Sequence, residues 1–119
     1  MKVADIMVSP VIVTQKNKSV EHVRGLLDRK HIHAVPVLST SGEIEGIVSV
    51  SDVAAERNSD QSVEVIMTNK THVVSPNSGI KDAAKMMEKH HVHHLVVMDE
   101  GQVVGILSSM DFVKLYAAD

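Results

Sequence analysis

Apolar positions along this chain fall into short runs whose spacing changes, and the same changes occur in the same order twice. Each series begins with a helical turn, "VADIM" at residues 3–7 and "VEVIM" at residues 63–67. An apolar extended run follows, "VIVT" in the first series and "HVVS" in the second. Val20, Val23 and Leu27, supported by Leu26, then recur at the spacing of one helix face, as do Ile80, Ala83, Ala84 and Met87. Polar "KNKS" and "PNSG" stand just before these helices, where start signals belong. Two strands come next, "AVPVL" with "IEGIVS", then "HLVVM" with "VVGILS", each pair separated by hairpin-turn residues, "STSGE" or "DEGQ". A last helix starts near Ser51 or Met110. The pattern predicts a β-α-β-β-α unit written twice.

The two copies match residue by residue. Positions 3–56 lie over 63–115 with one residue dropped near Thr40. Ile6-Met7 meets Ile66-Met67, His31 and His33 meet His91 and His93, and Gly46-Ile47 meets Gly105-Ile106. Ser49 and Asp52 meet Ser108 and Asp111. Repeats of this kind cover one another's apolar faces. The expected fold class is therefore α+β (α/β-like), with repeat 1 at 1–58 and repeat 2 at 59–119. Together they are expected to form one module packed about a pseudo-twofold axis, because a unit of about 60 residues is marginal alone.

Composition removes several function classes. Of 119 residues, one is Tyr, one is Phe and none is Trp, and the formal charge is -3. Neither aromatic stacking platforms nor a basic surface is available, so no nucleic acid partner is expected. Zero Cys excludes disulfides and thiolate chemistry and fits a reducing compartment. The start "MKVADIMVSP" does not read as a signal peptide, and no apolar run reaches the roughly 20 residues of a membrane span. A cytoplasmic protein without a membrane partner is the expectation. Walker, dinucleotide, metalloprotease and nucleophile-elbow motifs are missing, and no acidic pair is placed for acid–base work, so the chain reads as no enzyme.

"GIVSVSD" at 46–52 and "GILSSMD" at 105–111 carry the candidate chemistry. Ser49 with Asp52, and Ser108 with Asp111, have the S-x-x-D form of a helix capping box. A structural role would account for both copies. The same place, a helix start at the end of a strand, also suits a polar ligand. Ser51 adds a hydroxyl, and each aspartate could accept two adjacent ribose hydroxyls. Spacing alone leaves capping and binding both open.

The doubled unit, with "DIM" and "VIM", "HAVPVL" and "HLVVM", and the two glycine-to-aspartate stretches, resembles a tandem pair of CBS domains, the cystathionine-β-synthase type regulatory module. The resemblance spans nearly the whole chain. It implies a regulatory module that binds an adenosine compound (AMP, ADP, ATP or S-adenosylmethionine) in clefts between the repeats, with no catalytic cofactor. It further implies that Asp52 and Asp111 hold ribose hydroxyls while Ser49, Ser51 and Ser108 stand near phosphates. The adenine would lie against Val73, Val74, Ser78 and Ala83 opposite Asp52, and against Val13, Thr14, Lys18 and Val23 opposite Asp111. A homodimer and a regulated partner protein follow from the same resemblance. The chain departs from many nucleotide-binding relatives in having Ala34 and His94 where an arginine precedes the second strand, and Met110 where repeat 1 has Ser51.

Eight histidines include the clusters "HIH" at 31–33 and "HHVHH" at 90–94. In an extended segment His31 and His33 would share one side, as would His91 and His93, while the other reading has His90 and His91 end a helix, where a partly positive ring meets the dipole favourably. His33 and His93 are candidates for hydrogen bonds to a phosphate. No metal is the main expectation, with His91 and His93 as an alternative zinc or nickel pair. His22 and His72 read as surface residues. The alternatives to the adenosine module are a ligand-free assembly module and a histidine-based metal sensor.

Overall fold

A computed structural model describes residues 1–118; Asp119, the last position of the expected second repeat, lies outside the described residues. In chain order the elements are α1 (Val3–Ile6), α2 (Val20–Lys30), β1 (Ala34–Leu38), β2 (Ile44–Ser49) and α3 (Val50–Ala55). A 3-10 turn (Val63–Val65) precedes β3 (Val73–Val74), α4 (Ile80–His90), β4 (His94–Asp99), β5 (Gln102–Ser108) and α5 (Ser109–Ala117). The fold is α+β, a β-α arrangement repeated twice. Contacts divide the chain into two compact units, Ile12–Thr71 and a unit made of Met1–Val11 with His72–Asp119.

In the unit Ile12–Thr71, α2 begins where the sequence pattern places it. Ser19 is its N-cap, and the Ser19 side chain accepts the backbone N–H of His22 at 3.0 Å. The helix ends at His31, whose left-handed φ of 53° lets its N–H return to the carbonyls of Leu27 and Asp28. "HIH" is thus a helix cap and turn, and the helix-end reading of the histidine clusters holds in place of the extended one. β1 and β2 form an antiparallel hairpin. Only Thr14 of the expected "VIVT" strand pairs, in parallel with Val37, donating to Pro36 and accepting from Leu38. The chain then turns through polar residues before it can add a second pair. Val20, Val23, Leu27, Val35, Val37, Val48, Val53 and Val63 make one buried cluster. The apolar stripe of α2 faces the inward side of the hairpin there, as its spacing dictates.

In the other unit, β3 runs parallel to β4, and β4 is antiparallel to β5. Glu100 and Gly101, at φ of 50° and 77°, make the two-residue turn between the last two strands. Val3, Val74, Ala83, Met87, Leu95, Val97 and Leu107 form its core. The helical turns "VADIM" and "VEVIM" each sit with the strands of the opposite repeat. Val3 is buried with residues of the second repeat, and Val63 with residues of the first.

This exchange explains the glycine of each repeated stretch. Ile47 and Thr68 exchange backbone hydrogen bonds of 3.0 Å, and Val8 and Ile106 do the same at 2.9 and 3.2 Å. A Cβ on Gly46 would stand 2.8 Å from the Thr68 carbonyl oxygen and 2.9 Å from the Met67 sulfur. On Gly105 it would meet the Met7 sulfur at 2.8 Å and the Val8 carbonyl oxygen at 3.0 Å. Only a residue without a side chain lets the incoming segment lie flat on the strand. The "IM" and "GI" pairs, distant in sequence, are two sides of one contact.

Candidate ligand site

Asp52 and Asp111 occupy the third positions of α3 and α5, and both complete reciprocal capping boxes. In the first, the Ser49 N–H donates to Asp52 Oδ2 at 2.7 Å, and the Asp52 N–H donates to Ser49 Oγ at 3.3 Å. The Ser49 hydroxyl also donates to Asp52 Oδ2 at 2.9 Å. Ser51 Oγ lies 3.0 Å from Ser49 Oγ. Since the Ser49 proton is directed at the carboxylate, Ser51 is the donor of that contact, and its own lone pairs remain for another partner. In the second box, the Ser108 N–H donates to Asp111 Oδ2 at 2.8 Å, and the Asp111 N–H to Ser108 Oγ at 3.3 Å.

The structural role is therefore present, yet it occupies one oxygen of each carboxylate. Oδ1 of Asp52 and Oδ1 of Asp111 accept no hydrogen bond among the described residues. Both aspartates are half-buried. A carboxylate has about four lone-pair sites, so a cap of two or three bonds leaves acceptor capacity for hydroxyl donors. The start of each helix also favours the negative charge.

The remaining expected contacts fall into two groups. Val13, Lys18 and Val73 are exposed, Ser78 is half-buried, and all can meet a ligand with their side chains. Thr14 and Val74 are buried at 6 % exposure, and Val23 and Ala83 at 0 %, each within the packing of its own unit. His33 and His93 are exposed, and their carbonyls accept the N–H groups of Val50 and Ser109, which open the capped helices. His31 and His91 both adopt the left-handed helix cap, with φ of 53° and 54°. Among the described residues, no group of three or more His, Asp or Glu is placed to hold a metal ion. His72, expected on the surface, is half-buried and stacks its ring on His90 with centroids 4.1 Å apart.

Arg24 escaped the sequence pattern. Its guanidinium donates to the Val53 carbonyl at 2.8 Å, to the Glu56 carbonyl at 3.4 Å and to Ser59 Oγ at 3.3 Å. It thereby ties the C-terminal carbonyls of α3 to α2. The one available signal was the repeat itself, since the second copy has Ala84 at that position.

The CBS domain pattern matches this chain twice, over residues 3–59 and 63–118. The chain belongs to the CBS domain family. A CBS domain pair is typically a regulatory module. The CBS domain pair of protein MJ0100, solved in complex with 5′-methylthioadenosine and S-adenosyl-L-methionine, is similar at a TM-score of 0.92 and 27 % identity, covering 99 % of this chain and 97 % of that one. A signal-transduction protein with CBS domains from Burkholderia ambifaria gives 0.89 at 31 % identity, covering 100 % and 96 %. Homoserine O-acetyltransferase of Methanohalophilus mahii is 34 % identical over 92 % of this CBS pair, which spans 23 % of that protein's length. Among the described residues no helix is long and apolar enough to cross a membrane.

Proposed function

We propose that this CBS pair is a non-catalytic regulatory module of the cytoplasm that binds an adenosine compound, with Asp52 and Asp111 accepting ribose hydroxyls. The observation that carries the proposal is the unused Oδ1 on each capping aspartate. Support comes from the complex of a structurally similar CBS pair with 5′-methylthioadenosine and S-adenosyl-L-methionine. Ser49 and Ser51 supply hydroxyls beside Asp52, whereas Met110 takes the place of Ser51 beside Asp111. The phosphate-bearing compounds AMP, ADP and ATP are accordingly assigned to Asp52. Val13, Lys18, Val73 and Ser78, with the exposed His33 and His93, are the remaining proposed contacts; Thr14, Val23, Val74 and Ala83 support them from within. A homodimer is the proposed working form. It is supported by the apolar hollow lined by Phe112, Val113, Leu115, Tyr116 and Ala117, where Tyr116 is 88 % exposed.

The test is calorimetric titration with AMP, ADP, ATP, 5′-methylthioadenosine and S-adenosylmethionine, repeated on Asp52→Asn and Asp111→Asn. Loss of charge-assisted bonds of about 1.5–3 kcal/mol predicts roughly 10- to 150-fold weaker binding at the altered site. At 100 times Kd the ligand should stabilise the fold by about 2.7 kcal/mol. Unchanged affinity in folded variants would refute the ribose role, and silence towards the whole panel would favour a ligand-free assembly module.

A further inference from the structure

The unit Ile12–Thr71 contains a cavity of about 380 Å³ whose lining includes neither Ser49 nor Asp52. That volume is within the range of small-molecule sites, about 300–1,000 Å³. Its polar lining is Arg24 and Asp28 from α2 with His31 and His33 from the turn that follows. Arg24 and Asp28 stand one helical turn apart, the spacing at which opposite charges ordinarily pair. They make no ion pair here: the Arg24 guanidinium turns to α3 and Ser59, and the Asp28 carboxylate accepts no hydrogen bond among the described residues. The two charges are held apart over an apolar floor of Leu27, Val50 and Val53.

The second repeat does not share this lining. At the matching positions the second repeat carries Ala84 for Arg24, Met87 for Leu27 and Phe112 for Val53. There Phe112 packs against the core of its unit. The second copy thus has an aromatic ring in place of Val53 and no cation in place of Arg24, while the first keeps Arg24 and Asp28 beside the cavity.

We propose that this cavity is a second ligand site, for a small zwitterion with an apolar body, the apolar α-amino acids being the matching class. Arg24, with guanidinium N–H groups beyond the three it has committed, and the imidazoles of His31 and His33 receive the carboxylate. Asp28 receives the ammonium group, and the side chain lies on Leu27, Val50 and Val53. The site shares His33 with the proposed adenosine contacts, and it otherwise stands on Arg24, Asp28, His31, Leu27, Val50 and Val53, none of which that reading uses.

The test titrates L-phenylalanine and L-leucine into the full chain and follows backbone amide shifts by NMR. N-acetyl-L-phenylalanine, which lacks the ammonium, and phenethylamine, which lacks the carboxylate, serve as controls. Saturable shifts at Asp28, His31, His33, Val50 and Val53 are expected from the amino acids, with both controls weaker by about tenfold or more. Asp28→Asn, an exposed change that leaves the core intact, should weaken amino-acid binding by a similar factor, and Val53→Phe, the second repeat's own residue, should abolish it. Adenosine-compound titrations on these two variants should match the wild type. No saturable shifts, equal binding of either control, or binding that survives Val53→Phe in a folded protein would overturn the proposal.

Discussion

At the residue scale, the two serines that begin α3 and α5 look interchangeable in sequence but do different amounts of bonding. The Ser49 hydroxyl accepts from the Asp52 N–H, donates to Asp52 Oδ2 and receives Ser51, whereas among the described residues the Ser108 hydroxyl only accepts from the Asp111 N–H. Removal of a capping hydroxyl costs about 0.5–2 kcal/mol. Ser49→Ala is therefore expected near the upper end of that range and Ser108→Ala near the lower, as urea denaturation of the two variants would show. The S-x-x-D spacing is enough to announce both caps. It could not announce that Oδ2 does the capping while Oδ1 stays unused, because spacing fixes which residues meet and not which oxygen turns inward. Arg24 was illegible for a related reason. On the polar face of an amphipathic helix it reads as one more solvated cation, and only the fold reveals the α3 carbonyls within its reach. Arg24→Met, which keeps much of the stem's bulk, should cost about 1–3 kcal/mol through the lost charged hydrogen bonds, with faster amide exchange in α3 as the specific sign.

At the element scale, helices and hairpins were legible because their apolar periods survive intact from sequence to structure. The first strand of each unit was less so. "VIVT" yields one paired residue and "HVVS" two, since a lone strand at the edge is set by what it pairs with and not by its own composition. The glycines separate the two kinds of constraint. Gly25 lies inside α2, where an added Cβ would meet only the flexible end of Arg29, at 3.0 Å. Gly25→Ala should raise stability by about 0.5–1 kcal/mol through helix propensity. Gly46→Ala and Gly105→Ala face backbone carbonyls at 2.8 and 3.0 Å. Overpacking against an immovable backbone should cost about 1–3 kcal/mol in each case. Thermal melts of the three variants should move in opposite directions, upward for the first and downward for the other two.

At the scale of the whole molecule, similarity and contact partition the chain differently. The repeats run in sequence order, but Met1–Val11 belongs with His72–Asp119 and residues 63–68 with the first repeat's strands. Internal similarity says which residues are equivalent; it carries no information about which copy a terminal segment will pair with. The exchange has an energetic consequence. Val3 is fully buried in the core of the unit containing the second repeat, and burying a valine contributes about 1.5–3 kcal/mol. Backbone bonds add to this, from the Val3 N–H to Ser78, from the Ala4 N–H to Pro76 and in both directions between Val8 and Ile106. Deletion of residues 1–8 would empty the slot over Gly105 and leave the β5 edge unpaired, although every residue of the second repeat would remain. The expected result is asymmetric: native-state hydrogen exchange should accelerate across β3, β4, β5 and α4 by more than it does across α2, β1 and β2. If each repeat instead depended chiefly on its own first turn, the truncated chain would lose protection in the first repeat and keep it in the second.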